Sequence, residues 1–240
     1  DKLKNQLLFD SIEVKLGGQP FTINGRFDLK GPEPQFSLGL KSKALPYPVI
    51  KSLLPDRIAK SLSKVDLDQP IDAIAEISGP LKGGEPLVNI SWQADKTVLK
   101  TDFLDFQAAS FTGNFTNEVV PGMPRFDPNS RISIRNFTAN WNGLPVRSSG
   151  IDILNLSTPT LTCDLQSDFP LTSLNDIIGS ESLQLLSGDA SLNITYQGPV
   201  ERTTMTNSCI NGGIHFKNGT MLYAPRKVQL TNVNGDMLFR

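Results

Sequence analysis

Apolar and polar residues alternate one for one through segment after segment of this chain. Ile12-Glu13-Val14-Lys15-Leu16, Phe21-Thr22-Ile23 and Phe36-Ser37-Leu38-Gly39-Leu40 begin the series. Val88-Asn89-Ile90-Ser91-Trp92, Leu161-Thr162-Cys163-Asp164-Leu165, Leu192-Asn193-Ile194-Thr195-Tyr196 and Ile214-His215-Phe216 continue it. A period of two places each apolar set on one side of an extended strand. Turn residues separate the segments at Gly17-Gly18-Gln19-Pro20, Gly31-Pro32-Glu33-Pro34, Gly83-Gly84, Asn142-Gly143 and Asn218-Gly219. The pattern predicts a mainly β chain of a dozen to fourteen strands, mostly antiparallel and joined by hairpins.

Two stretches carry helical spacing instead. From Pro48 to about Lys64, Val49, Ile50, Leu53, Leu54, Ile58 and Leu62 recur three and four residues apart, with Pro55 starting a second short helix or kinking the first. From about Ser173 to Leu186, Leu174, Ile177, Ile178, Leu183, Leu185 and Leu186 do the same, with a break expected at Gly179.

Laid on itself, the chain repeats. A shift of 125 carries Gly18, Pro20, Gly25 and Pro34 onto Gly143, Pro145, Gly150 and Pro159, and Leu40 and Ser42 onto Leu165 and Ser167. After the helices a shift of 119 carries Gly79-Pro80 onto Gly198-Pro199, and a shift of 122 carries Phe111-Thr112-Gly113 onto Val233-Asn234-Gly235. The sequence therefore reads as two tandem units, residues 1–120 and 121–240, each with one short amphipathic helix segment. Asp1-Lys2-Leu3-Lys4-Asn5 lacks the apolar stretch of a signal peptide, so residues 1–240 read as a fragment of a larger domain.

Charge and chemistry exclude several functions. With 24 acidic and 23 basic side chains and no like-charge block, a nucleic-acid partner is not expected. The single histidine, His215, alternates away from Ile214 and Phe216 and reads as a surface strand residue. Cys163 and Cys209 have neither disulfide-framework nor C-x-x-C spacing, and whether they pair is left open. No nucleophile elbow, P-loop, dinucleotide fingerprint or zinc motif occurs, so no catalytic residue, metal or cofactor is assigned and the chain reads as non-enzymatic. A glycan-active site on Asp102 and Asp105 is the weak remaining enzymatic reading. Six N-x-S/T sequons, at Asn89, Asn114, Asn136, Asn155, Asn193 and Asn218, are read as outward polar residues flanking an inward apolar one.

About fourteen strands at roughly 4.8 Å spacing span about 65 Å, whereas a helix covers a stripe about 10 Å wide. Two helices cannot cap such a sheet. Its apolar face must close as a sandwich, the default on periodicity alone, or stay open as a gutter that holds something apolar. Where parity slips, as between Ile134 and Phe137, a bulge is expected.

The last segment points to the gutter. Ile210-Asn211-Gly212-Gly213-Ile214-His215-Phe216-Lys217-Asn218-Gly219-Thr220-Met221-Leu222-Tyr223 is followed by Val228-Gln229-Leu230-Thr231-Asn232-Val233-Asn234-Gly235-Asp236-Met237-Leu238-Phe239. This order of glycine, alternating apolar residues, Asn-Gly, strand, then L-x-N-V-x-G-x-x-x-F resembles the repeated strand pattern of the AsmA family. A looser version stands at 106–115. The family's members are bridge-like lipid-transfer proteins of diderm bacteria. The resemblance implies an elongated, curved antiparallel sheet folded like a taco, a β-groove, in the periplasm. It also implies an inner-membrane anchor outside this stretch, phospholipid or another acyl-chain lipid as cargo, and a role in lipid transport, envelope maintenance or outer-membrane biogenesis, with an envelope protein as a further partner. The expected lining is Ile12, Val14, Leu16, Phe21, Ile23, Phe36, Leu38 and Leu40 in the first unit. In the second it is Leu161, Cys163, Leu165, Leu192, Ile194, Tyr196, Ile214 and Phe216. The competing reading is a β-sandwich interaction or scaffold module that assists outer-membrane protein assembly, binding by edge-strand addition.

Overall fold

The computed structural model describes residues 5–53, 64–102, 104–200 and 208–239. They form thirteen strands: β1 Gln6–Leu16, β2 Gln19–Asp28, β3 Gln35–Leu45, β4 Val65–Leu67, β5 Ile71–Pro80, β6 Leu87–Thr101, β7 Asp105–Thr116, β8 Arg131–Trp141, β9 Leu144–Leu154, β10 Thr160–Pro170, β11 Leu183–Pro199, β12 Cys209–Tyr223 and β13 Val228–Phe239. Every pairing is antiparallel and nearly every strand lies beside its neighbours in sequence. The exception is the short β4, which pairs with β6 away from the main path. The result is one open sheet, closed neither into a barrel nor into a sandwich. The sandwich is thus overturned as an architecture, since all thirteen described strands belong to this single open sheet. A compact monomer of 26.2 kDa exposes about 10,600 Å², whereas this chain exposes 14914 Å². The excess is what an uncovered sheet produces.

The second half retraces the first. A shift of 125 carries β1 onto β8 and β3 onto β10, end to end. A shift of 119 carries β5 onto the C-terminal part of β11, and a shift of 122 carries β6 onto β12. Even buried polar contacts repeat: the Ser42 hydroxyl donates to the Pro20 carbonyl, and the Ser167 hydroxyl to that of Pro145. The last strand corrects the sequence alignment. Ala94 opposes Phe111 in unit one and Phe216 opposes Gly235 in unit two, so β7 maps onto β13 at a shift of 124, not 122. The two extra residues fall in the turn Ala224–Arg226 before β13.

Bulges set the shape. The register slips in seven strand pairs, and Ser11, Ala44, Lys96, Ala108, Asn136, Asn218 and Asn232 adopt the left-handed conformation there, with φ between 48° and 56°. Each such bulge bends its strand. Because one extra residue is absorbed, apolar residues three apart, such as Phe9 and Ile12 or Ile134 and Phe137, stay on the same face. Many bulge amides are closed by an outward side chain of the next strand. Ser11 N–H donates to Asn24 Oδ1 at 2.7 Å, Ala44 N–H to Asp72 Oδ1 at 2.9 Å and Asn218 N–H to Asn234 Oδ1 at 2.9 Å. Asn218-Gly219, read from sequence as a hairpin turn, is one of these bulges. Strand β12 runs straight through it, since asparagine tolerates the left-handed region in a bulge as readily as in a turn.

The helices are shorter than their apolar spacing suggests. Helix α1 covers Tyr47–Leu53, and the rest of the expected segment, including Leu54, Pro55, Ile58 and Leu62, lies outside the described residues. In the second unit a 3-10 turn, Leu171–Leu174, leads into α2, Asn175–Ile178, which stops at left-handed Gly179 as expected. Leu183, Leu185 and Leu186 belong instead to β11. A run of leucines near a helix break satisfies either period, and pairing with β12 decides for strand.

Glycine is needed at position 113, where the Trp92 indole of the neighbouring strand fills the space a Cβ on Gly113 would take. Gly113→Ala is expected to push the indole aside at a cost of about 1 kcal/mol. A shift in tryptophan emission with a lowered urea midpoint checks this, and unchanged emission counts against it.

The apolar face as candidate functional site

Directly opposed residues of antiparallel strands point to the same side of a sheet, so one face can be followed through the register. One row runs Ile12, Ile23, Leu40, Ala75, Ile90, Phe115, Ile132, Ile153 and Leu161, then ends on Gly198, crossing ten strands. A second links Ile134, Ile151, Cys163, Tyr196 and Ile210. All sixteen residues expected to line the groove, Ile12 to Phe216, stand on this single face. No described strand places Asp, Glu, Lys or Arg on it.

Its residues are neither a sealed core nor fully wet. Of the sixteen, Phe21 is buried at 8%, Ile12 and Leu16 are exposed at 45% and 36%, and the rest are half-buried. Among the described residues, sealing is concentrated along one rim. There Tyr47 of α1 and Leu67 of β4 pack with Ile71, Phe106, Phe111 and Phe137, while Leu171 of the 3-10 turn packs with Leu144, Phe169 and Leu185. Burial, with the Asp66 charge nearby, pushes the Tyr47 phenol up to about 12, so it stays neutral in this plug. The few hydroxyls on the face are used internally: Thr97 donates to Asp68 Oδ1 at 2.9 Å and Ser148 to Asp164 Oδ1 at 3.1 Å. An apolar guest would therefore meet no unpaired polar group at these positions.

The opposite face carries the charge. Arg135 pairs with Asp152 at 2.8 Å and Arg147 with Asp168 at 2.6 Å. Asp164 accepts the amides of Ser149 and Gly150 and the hydroxyls of Ser148 and Ser149. Burial pushes its carboxyl up, but these donors outweigh burial and hold it below the usual carboxylate range.

His215 lies on this outer face, its Nδ1 2.6 Å from Asp236 Oδ1. Across the sheet it falls in the row Asp168, Ser191, His215, Asp236. A serine, a histidine and an aspartate thus adjoin. Ser191 is an interior strand residue, opposite Asp168 on β10 and His215 on β12. Asp102 and Asp105 stand exposed at the β6–β7 connection, with Asp105 opposite Lys100.

Three sequons, at Asn89, Asn114 and Asn193, follow strand parity, the asparagine outward and Ile90, Phe115 or Ile194 on the apolar face. Asn136 and Asn218 are bulge residues, and Asn155 closes a turn by donating to Thr158 Oγ1 at 2.9 Å. The cysteines are both free and face opposite sides: Cys163 shares the apolar face with Tyr196, whereas Cys209 opposes outward Gln197. They cannot pair within one chain. Burial, then the Asp164 charge, pushes the Cys163 thiol up and keeps it protonated.

Sequence reasoning missed much of the middle of this face, including Trp92, Phe115, Ile132, Ile134, Ile151 and Ile153. The signal was present as the same one-for-one alternation, in Val88-Asn89-Ile90-Ser91-Trp92, Ile132-Ser133-Ile134 and Ile151-Asp152-Ile153. Among the described residues no helix is long and apolar enough to cross a membrane, and no cluster of His, Cys, Asp and Glu could hold a metal ion. No family model, curated protein or solved structure matches the chain.

Proposed function

We propose that this chain is a non-enzymatic segment of an AsmA-like lipid carrier, and that acyl chains of phospholipid or a similar lipid lie on its apolar face during transport across the bacterial envelope. The observation that carries this reading is one uncharged, half-exposed apolar face running without interruption across the strands, backed by a charged face. An ordinary globular protein buries such a face in its own core. Each methylene that an acyl chain removes from water here contributes about 0.8 kcal/mol, so a lipid tail needs no charged anchor. The repeated unit suits a conduit lengthened by adding strands. Periplasmic residence and an inner-membrane anchor in the full-length protein, outside residues 1–240, belong to the same proposal.

Mass spectrometry of organic extracts from protein purified without detergent tests it. Wild type is expected to yield phospholipid. A variant with Leu38→Glu and Ile194→Glu, both on the apolar face, is expected to lose most of it. The control Ser37→Glu with Thr195→Glu, one residue away on the opposite face, is expected to retain it. Folded wild type that neither yields lipid nor takes it up from liposomes would overturn the carrier.

A further inference from the structure

The strand ends opposite the sealed rim carry apolar tips. The described turns there cover 29–34, 81–86, 117–130 and 155–159. Leu29, Leu81 and Leu154 stand exposed in or beside three of them, and Val120, Met123 and Phe126 of the β7–β8 connection are exposed at 54%, 56% and 53%. That connection, 117–130, is more than twice as long as any of the other three. Its length falls in the range where a loop ordinarily has a function of its own. It is also firmly held. Asn129, itself buried, accepts the Val120 N–H on Oδ1 at 2.9 Å and donates from Nδ2 to the Val120 carbonyl at 3.1 Å. Asn117 Nδ2 donates to the Pro86 carbonyl at 2.9 Å, and Arg125 donates to Glu118 Oε1 at 3.1 Å and to the Glu85 carbonyl at 3.0 Å. These polar side chains are used to fix the loop, while Val120, Met123 and Phe126 are left in water.

We propose that this rim lies against the surface of a phospholipid bilayer, with Val120, Met123 and Phe126 inserted among the headgroups, so that a lipid tail can pass between the bilayer and the apolar face. The spacing of the tips favours a fluid surface over a protein. They are separate points on turns from β2 to β10, a span of about 34 Å at roughly 4.8 Å per strand. A protein partner would need a matching pocket for each, whereas a bilayer accepts apolar side chains at any spacing. The turns carry Lys30, Lys82 and Arg125 against Glu33, Glu85, Glu118 and Asp127, so their charge gives no preference for anionic lipid. The rim also adjoins the proposed cargo site. Phe27, Phe115, Ile132 and Ile153, the inward residues nearest these turns, are half-buried, whereas Phe111 and Phe137 farther along β7 and β8 are sealed. Strands added beside β1 or β13 would lengthen this rim without covering it. The use of the contact rests on the carrier reading, but the contact itself is measured apart from cargo.

Flotation with vesicles of phosphatidylcholine, alone and mixed with phosphatidylglycerol, tests it. Wild type is expected to float with both kinds and to stay bound in high salt, because apolar insertion is not screened. Met123→Glu combined with Phe126→Glu is expected to bind at least about tenfold more weakly, with an unchanged circular dichroism spectrum because both side chains are exposed. The groove variant with Leu38→Glu and Ile194→Glu should float like wild type. Binding that high salt abolishes, or a loop variant that floats unchanged, would overturn the membrane contact. Wild type that stays in solution would overturn it in favour of a protein partner. If that same protein yields phospholipid on extraction, the carrier reading stands and only the membrane contact falls.

Discussion

Phe137→Ala is expected to destabilise the fold by about 3–5 kcal/mol, the range for removing a fully packed aromatic side chain. The ring is 3% exposed and lies edge-on to Phe106 at 5.4 Å and tilted against Phe111 at 6.1 Å. It joins the two units, so the cavity would open where the halves of the sheet meet. Its repeat counterpart Ile12, on the edge strand and 45% exposed, supplies an internal control. Ile12→Ala is expected to cost about 1 kcal/mol, because nearly half of the residue is already exposed to water. Urea midpoints at unchanged slope measure both. Equal costs for the pair would mean that the join is no better packed than the edge.

Asp164→Ala is expected to cost about 2 kcal/mol, a figure reduced because the carboxylate is partly in water. The side chain closes the irregular stretch of β9 by accepting from Ser149 N–H at 3.2 Å and Gly150 N–H at 2.9 Å. Alanine leaves both amides to find water. The pH dependence has a definite sign. A carboxyl held below its ordinary value in the folded state contributes stability that is present above the unfolded carboxylate range and lost as pH falls through the folded value. Asp152 acts in the same direction: burial raises its pKa, but Ser133 and Arg135 outweigh burial and lower it. Wild type should therefore lose stability on acidification through the carboxylate range, and Asp164→Ala should show a shallower loss. Parallel curves for the two proteins would count against this role.

Local pattern made the strands legible. In Leu161-Thr162-Cys163-Asp164-Leu165 the alternation marks both the strand and its apolar side, and β10 has Leu161, Cys163 and Leu165 on one face as expected. The parity slip between Ile134 and Phe137 revealed a bulge before any register was known, and Asn136 has the required left-handed φ of 55°. Less local features were misread. The leucines at 183–186 fit helix and strand alike, and Asn218-Gly219 fits turn and bulge alike, because each motif reports a backbone conformation and not its neighbours. The shift of 122 for the final strand failed for a similar reason. Matching glycines cannot reveal two residues added in a turn, whereas the pairing of Phe216 with Gly235 can.

By itself, then, the sequence determined a mainly β chain and, in stretches such as Leu161–Leu165, which side of the strand is apolar, because side-chain alternation is a property of a few adjacent residues. Only the tertiary structure decided that those sides join into one uncharged face, that the face stays open instead of folding onto a second layer, and that Cys163 and Cys209 stand on opposite sides of it. These depend on register between strands tens of residues apart. There one bulge keeps or reverses the face of everything beyond it, and no short stretch of sequence contains that information.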